Sequence, residues 1–239
     1  MPSPEPRLPR RRSGYTISAH ERGIEPLSFP VPDNVAALLD ELEALPSTWH
    51  EAGTLPVDVL RAIVRYAAGK PLPISASAET GCGKSTLLFS HLSANHKVFT
   101  ISGPNDSLPK VRASPLLDRS TVEFIEGPSQ TTLPHHTFER GLELALIDGS
   151  HTYPVPDFDY YYLYPHLKPD ALLIVDDIHI PSIFNMFEFI AADEMFELLR
   201  IVGNTAFFRR TDSPTREPLR DHWTRQRYNQ TILARDSDE

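Results

Sequence analysis

Apolar residues in this chain keep two different rhythms. Between positions 31 and 70 they recur every three or four residues, at Val35, Leu38, Leu39, Leu42 and Leu45, and again after Pro56 from Val57 to Ala68. That spacing places them on one face of a 3.6-residue helix, so two short helices are expected, the first with Asp33 or Asn34 as its N-cap. From Pro71 onward the pattern changes to short apolar runs, which predict strands at 72–78, 97–102, 121–126, 142–148, 171–176, 196–202 and 205–210. Helical or loop segments fall between them, with helices expected at 84–93, around 108–117, at 156–166 and at 182–192. Strands interleaved with helices of this length imply an α/β fold, a mostly parallel seven-stranded sheet covered on both faces. Gly203-Asn204 joins the last two runs and is a hairpin signal, so the sheet is expected to end in an antiparallel pair.

The flanks read differently. Residues 1–30 are rich in Pro and Arg and carry no sustained apolar period, so they are expected to form a mobile arm. Capping helices at 31–70, a main domain at 71–212 and a charged extension at 213–239 follow, and in the extension only Trp223 and Tyr228 suggest docking. The 239 residues suffice for one well-buried domain with decorated ends, not for two full domains.

Charge and cysteine count narrow the partners. A formal net charge of −9 argues against a general nucleic-acid surface, which needs a basic face, and favours a small-molecule ligand. Cys82 is the single cysteine, so no internal disulfide and no Cys-based zinc cluster can form, which fits a reducing compartment such as the cytosol. No apolar run approaches the roughly 18 residues that span a bilayer, and no apolar signal-peptide core is visible. A homo-oligomer remains open.

Candidate chemistry starts at residues 78–86, AETGCGKST. A nucleotide-binding P-loop needs G-x-x-x-x-G-K-[ST], and Gly83-Lys84-Ser85 supplies its second half. Ala78 stands where the first glycine belongs, and a Cβ there crowds a turn that phosphate must approach. The strand Leu172-Leu173-Ile174-Val175-Asp176-Asp177 would serve as the acid-tipped strand that holds magnesium in a P-loop ATPase or kinase. In another register the same turn reads Glu79-x-Gly81-x-Gly83, an acid at a strand end followed by glycines that let a ligand pass close to the backbone.

Residues 142–180, LELALIDGSHTYPVPDFDYYYLYPHLKPDALLIVDDIHI, separate the two readings. An apolar strand ends in Asp148-Gly149-Ser150-His151-x-Tyr153, a helix follows, and Leu167-Lys168-Pro169-Asp170-Ala171 leads into a second strand ending in Asp176-Asp177. In this combination the chain resembles the class I S-adenosylmethionine-dependent methyltransferases over about residues 70–210. The nearest likeness is to the branch with a D-G-x-H-x-Y turn, to which metal-dependent O-methyltransferases of sugars and secondary metabolites belong. The resemblance implies a Rossmann-like fold and S-adenosylmethionine held by Glu79, Gly81 and Gly83, with Ser102, Ser129 and Asp148 as further cofactor contacts. It also implies that Asp148, Asp176 and Asp177 converge at the carboxyl edge of the sheet. Carboxylates that close repel unless a cation lies between them, and an all-oxygen set suits magnesium, calcium or manganese. In the family such an ion, here expected to be magnesium, grips a small-molecule acceptor, and a histidine matching His151 takes the hydroxyl proton. His179 is expected just behind the site, and His135-His136 in a polar loop. Tyr160, Tyr161, Tyr162 and Tyr164 are expected to cover the sheet.

Three positions depart from the family pattern: Ser102 where an acid usually follows strand two, Pro128 where G-D-x follows strand three, and Asp170-Ala171 where two glycines precede strand five. Beside the methyltransferase reading stand the P-loop enzyme and a non-catalytic, methyltransferase-like binding protein.

Overall fold

The computed structural model describes residues 31–46, 49, 54–102, 107–216 and 223–237. The arm expected at 1–30 lies outside the described residues. Helices α1 (Asp33–Ala44) and α2 (Val57–Ala67) lead into the sheet, and α1 buries Val35, Leu38, Leu39 and Leu42, the stripe read from the sequence. Its start differs from expectation: Asp33 is already helical, Pro32 takes the cap position and no side chain caps the helix. Proline suits that place because its fixed φ leads into a helix, while Asp33 in the first turn complements the positive end of the helix dipole.

The order then runs β1 (Ser77–Thr80), α3 (Lys84–Leu92), β2 (His96–Thr100), α4 (Ser107–Ala113), β3 (Val122–Glu126), α5 (Ser129–Thr132), β4 (Leu142–Ile147), α6 (Val155–Leu163), β5 (Leu167–Val175), α7 (Pro181–Ala192), β6 (Phe196–Val202), β7 (Thr205–Arg210) and α8 (Arg227–Ser237). Seven strands form one sheet in the order β3-β2-β1-β4-β5-β7-β6. Strands β1 to β5 pair in parallel, and β7 runs antiparallel to both β5 and β6, so six strands point one way. This is the mostly parallel sheet with a terminal antiparallel hairpin that the pattern predicted.

Boundaries moved where local chemistry intervened. Strand β1 begins at Ser77 rather than at 72, because Pro71 and Pro73 cannot donate to a ladder and Ile74 makes only an isolated bridge to Ser93. Helix α4 stops at Ala113, since Pro115 disfavours helical geometry at Ser114. The extension contains α8, where the Tyr228 ring packs 5.6 Å from that of Phe189 on α7.

The strands alternate sides with period two, and each side has its own core. Leu144, Leu146, Leu172 and Ile174 face α1, α2 and α3, whereas Ala145, Ile147, Leu173 and Val175 face α6 and α7. Tyr160 and Tyr164 join the second core, as expected of the tyrosine run. Among the described residues no helix is long and apolar enough to cross a membrane.

Strand order reverses between β1 and β4. From β1 the chain steps outward to β2 and β3, while β4 and β5 are added on the other side. A crevice therefore opens beyond the carboxyl ends of β1 and β4, the place where doubly wound sheets bind ligands.

Candidate active site

Two turns meet at that crevice. Thr80, the last residue of β1, is in register with Ile147, the last of β4, and the Asp148 N–H donates to the Thr80 carbonyl at 3.1 Å. The β1 turn then presses on the β4 turn. A Cβ on Gly81 would lie 2.1 Å from the Asp148 carbonyl oxygen, and Gly81 holds φ +93°, so glycine is required there on both counts. Gly149 is also confined, since its Cβ would come within 3.1 Å of Thr80 Oγ1 and of Asp159 Oδ2. Between and above these turns lies a cavity of about 800 Å³, of a size for a cofactor-scale ligand. Gly81, Gly83, Ser129, Asp148, His151, Asp176 and Asp177 line it, which brings seven of the nine residues expected at the site to one place.

Glu79 is a correction. It lies within β1, not at its end, and it is fully buried behind the turn, away from the cavity. Its carboxylate accepts from the hydroxyls of Ser85 (2.6 Å) and Thr86, and pairs with His96 Nε2 at 3.1 Å. Thr86 Oγ1 in turn accepts the Gly83 N–H at 3.1 Å, and Ser77 Oγ meets His96 Nδ1 at 2.7 Å. Glu79 thus holds the glycine turn from beneath. Ser102 is a second correction: it is exposed, outside the cavity, and donates to Glu126 Oε2 at 3.0 Å, while Thr100 and Ile101 line the wall in its stead. The reason is that β2 ends at Thr100, two residues earlier than expected.

The same network disfavours the P-loop reading. Lys84 Nζ donates to the Leu45 carbonyl at 2.9 Å, tying the turn to the end of α1, and Ser85 donates to Glu79. The two side chains that a nucleotide phosphate and its magnesium require are committed inside the fold.

At the far end of the cavity Asp148, His151 and Asp177 each bring one ligand atom within 4.8 Å of the others. His151 Nε2 lies 3.1 Å from Asp177 Oδ2, and His179 Nδ1 lies 3.5 Å from Asp177 Oδ1, so His179 borders the cluster. Asp176 lines the cavity but stays outside the cluster. Its Oδ1 accepts the Thr205 hydroxyl, and Asp177 takes φ +56°, so the chain reverses between the two carboxylates. Asp148 is lifted well above the usual carboxylate range by burial first, then by Asp176, Glu79 and Asp177. Burial and Asp177 also raise Asp176, against the Thr205 hydrogen bond. This is an excess of carboxylate that a divalent cation would balance, and the O/N donor set fits magnesium or manganese.

Sequence reasoning missed Thr80, His96 and Asp159: Thr80 is the unspecified position of Glu79-x-Gly81, and His96 and Asp159 stand outside the spaced motifs. His96 becomes a neighbour of Glu79 only through the pairing of Ser77 with His96 across β1 and β2.

Two outcomes test this wall. Gly81→Ala should lower the melting temperature and weaken S-adenosylhomocysteine binding at least tenfold by calorimetry, since left-handed strain costs about 1–3 kcal/mol even before the collision with Asp148 is relieved. Cys82, in the same turn, has its thiol pushed up to about 12 by burial first and by Glu79 second. A thiol with so high a pKa is only roughly 10⁻⁴ thiolate at pH 8. Mass spectrometry after iodoacetamide treatment at pH 8 should find Cys82 unmodified in the folded chain and fully labelled in urea.

Comparison with known proteins agrees with the geometry. A family model described as a methyltransferase domain matches residues 78–178. No curated protein matches the chain by sequence. Among solved structures, the O-methyltransferase NovP superposes with a TM-score of 0.57 at 18% identity, covering 74% of this chain and 99% of that one. The O-methyltransferase from Bacillus cereus in complex with SAH gives 0.51 at 16% identity, over 77% and 93% of the two chains. MycE of the mycinamycin biosynthetic pathway, solved with Mg, SAH and mycinamycin VI, gives 0.51 at 14% identity, over 80% of this chain and 58% of that one. The methyltransferase-domain model thus covers the β1 to β5 half of the sheet with both turns of the site, and the fold is the one these O-methyltransferase structures share.

Proposed function

We propose that this protein transfers a methyl group from S-adenosylmethionine to a hydroxyl of a small molecule, assisted by a divalent cation, magnesium by ligand chemistry. The observation that carries the reading is the meeting of the glycine turn with Asp148, His151 and Asp177 in one cavity. The MycE structure, which holds Mg, SAH and mycinamycin VI together, supports the same combination of ligands.

When bound, S-adenosylmethionine supplies an electrophilic methyl group, and a divalent cation lowers the pKa of an acceptor hydroxyl and fixes its direction. The chain's own residues divide the rest. Gly81 and Gly83 would let the cofactor lie against the backbone, and Ser129 lines the same cavity. Asp148 and Asp177 would hold the cation through carboxylate oxygens, with Asp176, bonded to Thr205, beside them in the same cavity. His151, with Nε2 turned to Asp177, keeps Nδ1 to receive the acceptor's proton. Asp177 then stabilises the imidazolium, so one carboxylate serves both the cation and the base.

Calorimetry with S-adenosylmethionine, with and without magnesium, is the direct experiment: no binding in either condition would sink the reading. Asp177→Asn should abolish magnesium binding and reduce methyl transfer by at least a hundredfold while leaving S-adenosylhomocysteine affinity within about twofold. His151→Ala should lower kcat by roughly 10²–10⁴ with little change in KM. A non-catalytic binding protein would give neither result, because no acceptor would be turned over by the unaltered chain.

A further inference from the structure

The tip of the β6–β7 hairpin reaches the acidic end of the cavity. Gly203, Asn204 and Thr205 line it beside Asp176 and Asp177. Val202 pairs with Thr205 across the turn, and Val175 pairs with Ala206 across β5 and β7, so register sets Thr205 next to the start of the acidic pair. Two bonds then tie the tip to that segment: the Ile178 N–H donates to the Asn204 carbonyl at 2.9 Å, and the Thr205 hydroxyl donates to Asp176 Oδ1. Thr205 is 1% exposed, so its single proton is given to Asp176 with little competition from solvent. A hydrogen bond to a charged acceptor of this kind biases a conformational choice by roughly tenfold or more.

The effect is visible in the carboxylates. Asp148 and Asp177 bring oxygens within 4.8 Å of each other and of a His151 ring nitrogen, while Asp176, the neighbour of Asp177 in sequence, lines the same cavity but stays out of the cluster. The positive φ of Asp177 (+56°) turns the chain between the two side chains, and Thr205 holds Asp176 on the side of the hairpin. We propose that Thr205 is a positioning residue: it keeps Asp176 from the divalent cation, so that two carboxylates meet the ion instead of three. Two carboxylates balance a divalent charge. A third would bind the ion more tightly, leave the group net negative and fill a position that a water or an acceptor oxygen needs, which blunts the pull of the ion on an acceptor hydroxyl. The assignment rests on the cation reading above and gives the hairpin a part in it.

The test uses the full chain, with magnesium titrated by calorimetry and bound manganese read by its enhancement of water proton relaxation. Thr205→Val keeps the shape and removes the hydroxyl, so it should bind magnesium about fivefold or more tightly than the unaltered chain, and the relaxation enhancement per bound manganese should fall as Asp176 displaces a water. Thr205→Ser should restore both values, and adding Asp176→Asn to Thr205→Val should cancel the gain in affinity. Unchanged or weaker magnesium binding in Thr205→Val would overturn the proposal, as would a Thr205→Ser variant that behaves like Thr205→Val. If Thr205→Val does not fold, Asp176→Asn decides: a loss of magnesium binding equal to that of Asp177→Asn makes Asp176 a ligand and rejects the proposal, and a smaller loss upholds it. An unaltered chain that binds neither ion removes the cation reading itself, and this proposal with it. Magnesium bound by the unaltered chain and no tighter by Thr205→Val removes this proposal alone.

Discussion

The contact on which the rest depends is the pressing of Gly81 against the Asp148 carbonyl. At that point the turn after β1 and the turn after β4 touch with no room for a side chain, and a positive φ is imposed on the residue that makes the contact. Everything chemical is arranged around it: the glycine turn continues into α3 on one side, and the acidic turn carries His151 on the other. The strand register that places Thr80 opposite Ile147 sets the approach, so the site inherits its precision from the middle of the sheet instead of from mobile loops.

Such a close approach needs support from below. Glu79, Ser85, Thr86, His96 and Ser77 form a buried polar network with no solvent to share, and its members satisfy one another through the Gly83 N–H and both ring nitrogens of His96. A network of that kind fixes one conformation because every alternative leaves a buried group unpaired. Lys84 extends the support to the end of α1, so the N-terminal helices are fastened to the glycine turn and not merely laid over it. The cluster at the other end of the cavity is the reverse case. Burial first, and neighbouring carboxylates after it, raise Asp148 and Asp176, and the resulting field is suited to a divalent ion.

Much of this was legible in order of length scale. The alternation of apolar runs gave the strands, their number and the terminal hairpin, since burial on two faces demands continuous apolar runs and their spacing repeats along the chain. The spaced motifs Glu79-x-Gly81-x-Gly83, Asp148-Gly149-Ser150-His151 and Asp176-Asp177 gave the neighbourhood of the site, and seven of the nine residues do line one cavity. The two exceptions share a cause. Glu79 and Ser102 were placed at strand ends, and each strand end lies elsewhere, Thr80 for β1 and Thr100 for β2. A shift of one or two residues turns a side chain from the cavity to the interior or to solvent.

By itself, then, the sequence determined the fold class and the chemical inventory, because apolar periodicity and residue type are local properties written in order along the chain. Tertiary structure alone decided direction and company: that Glu79 faces His96 and not the cavity, that Lys84 serves the Leu45 carbonyl, that Asp176 turns to Thr205 while Asp177 turns to His151, and that Asp159 stands behind Thr80. Each of these depends on which strands are adjacent and in what register, and pairing between distant segments has no signature in the spacing of either one.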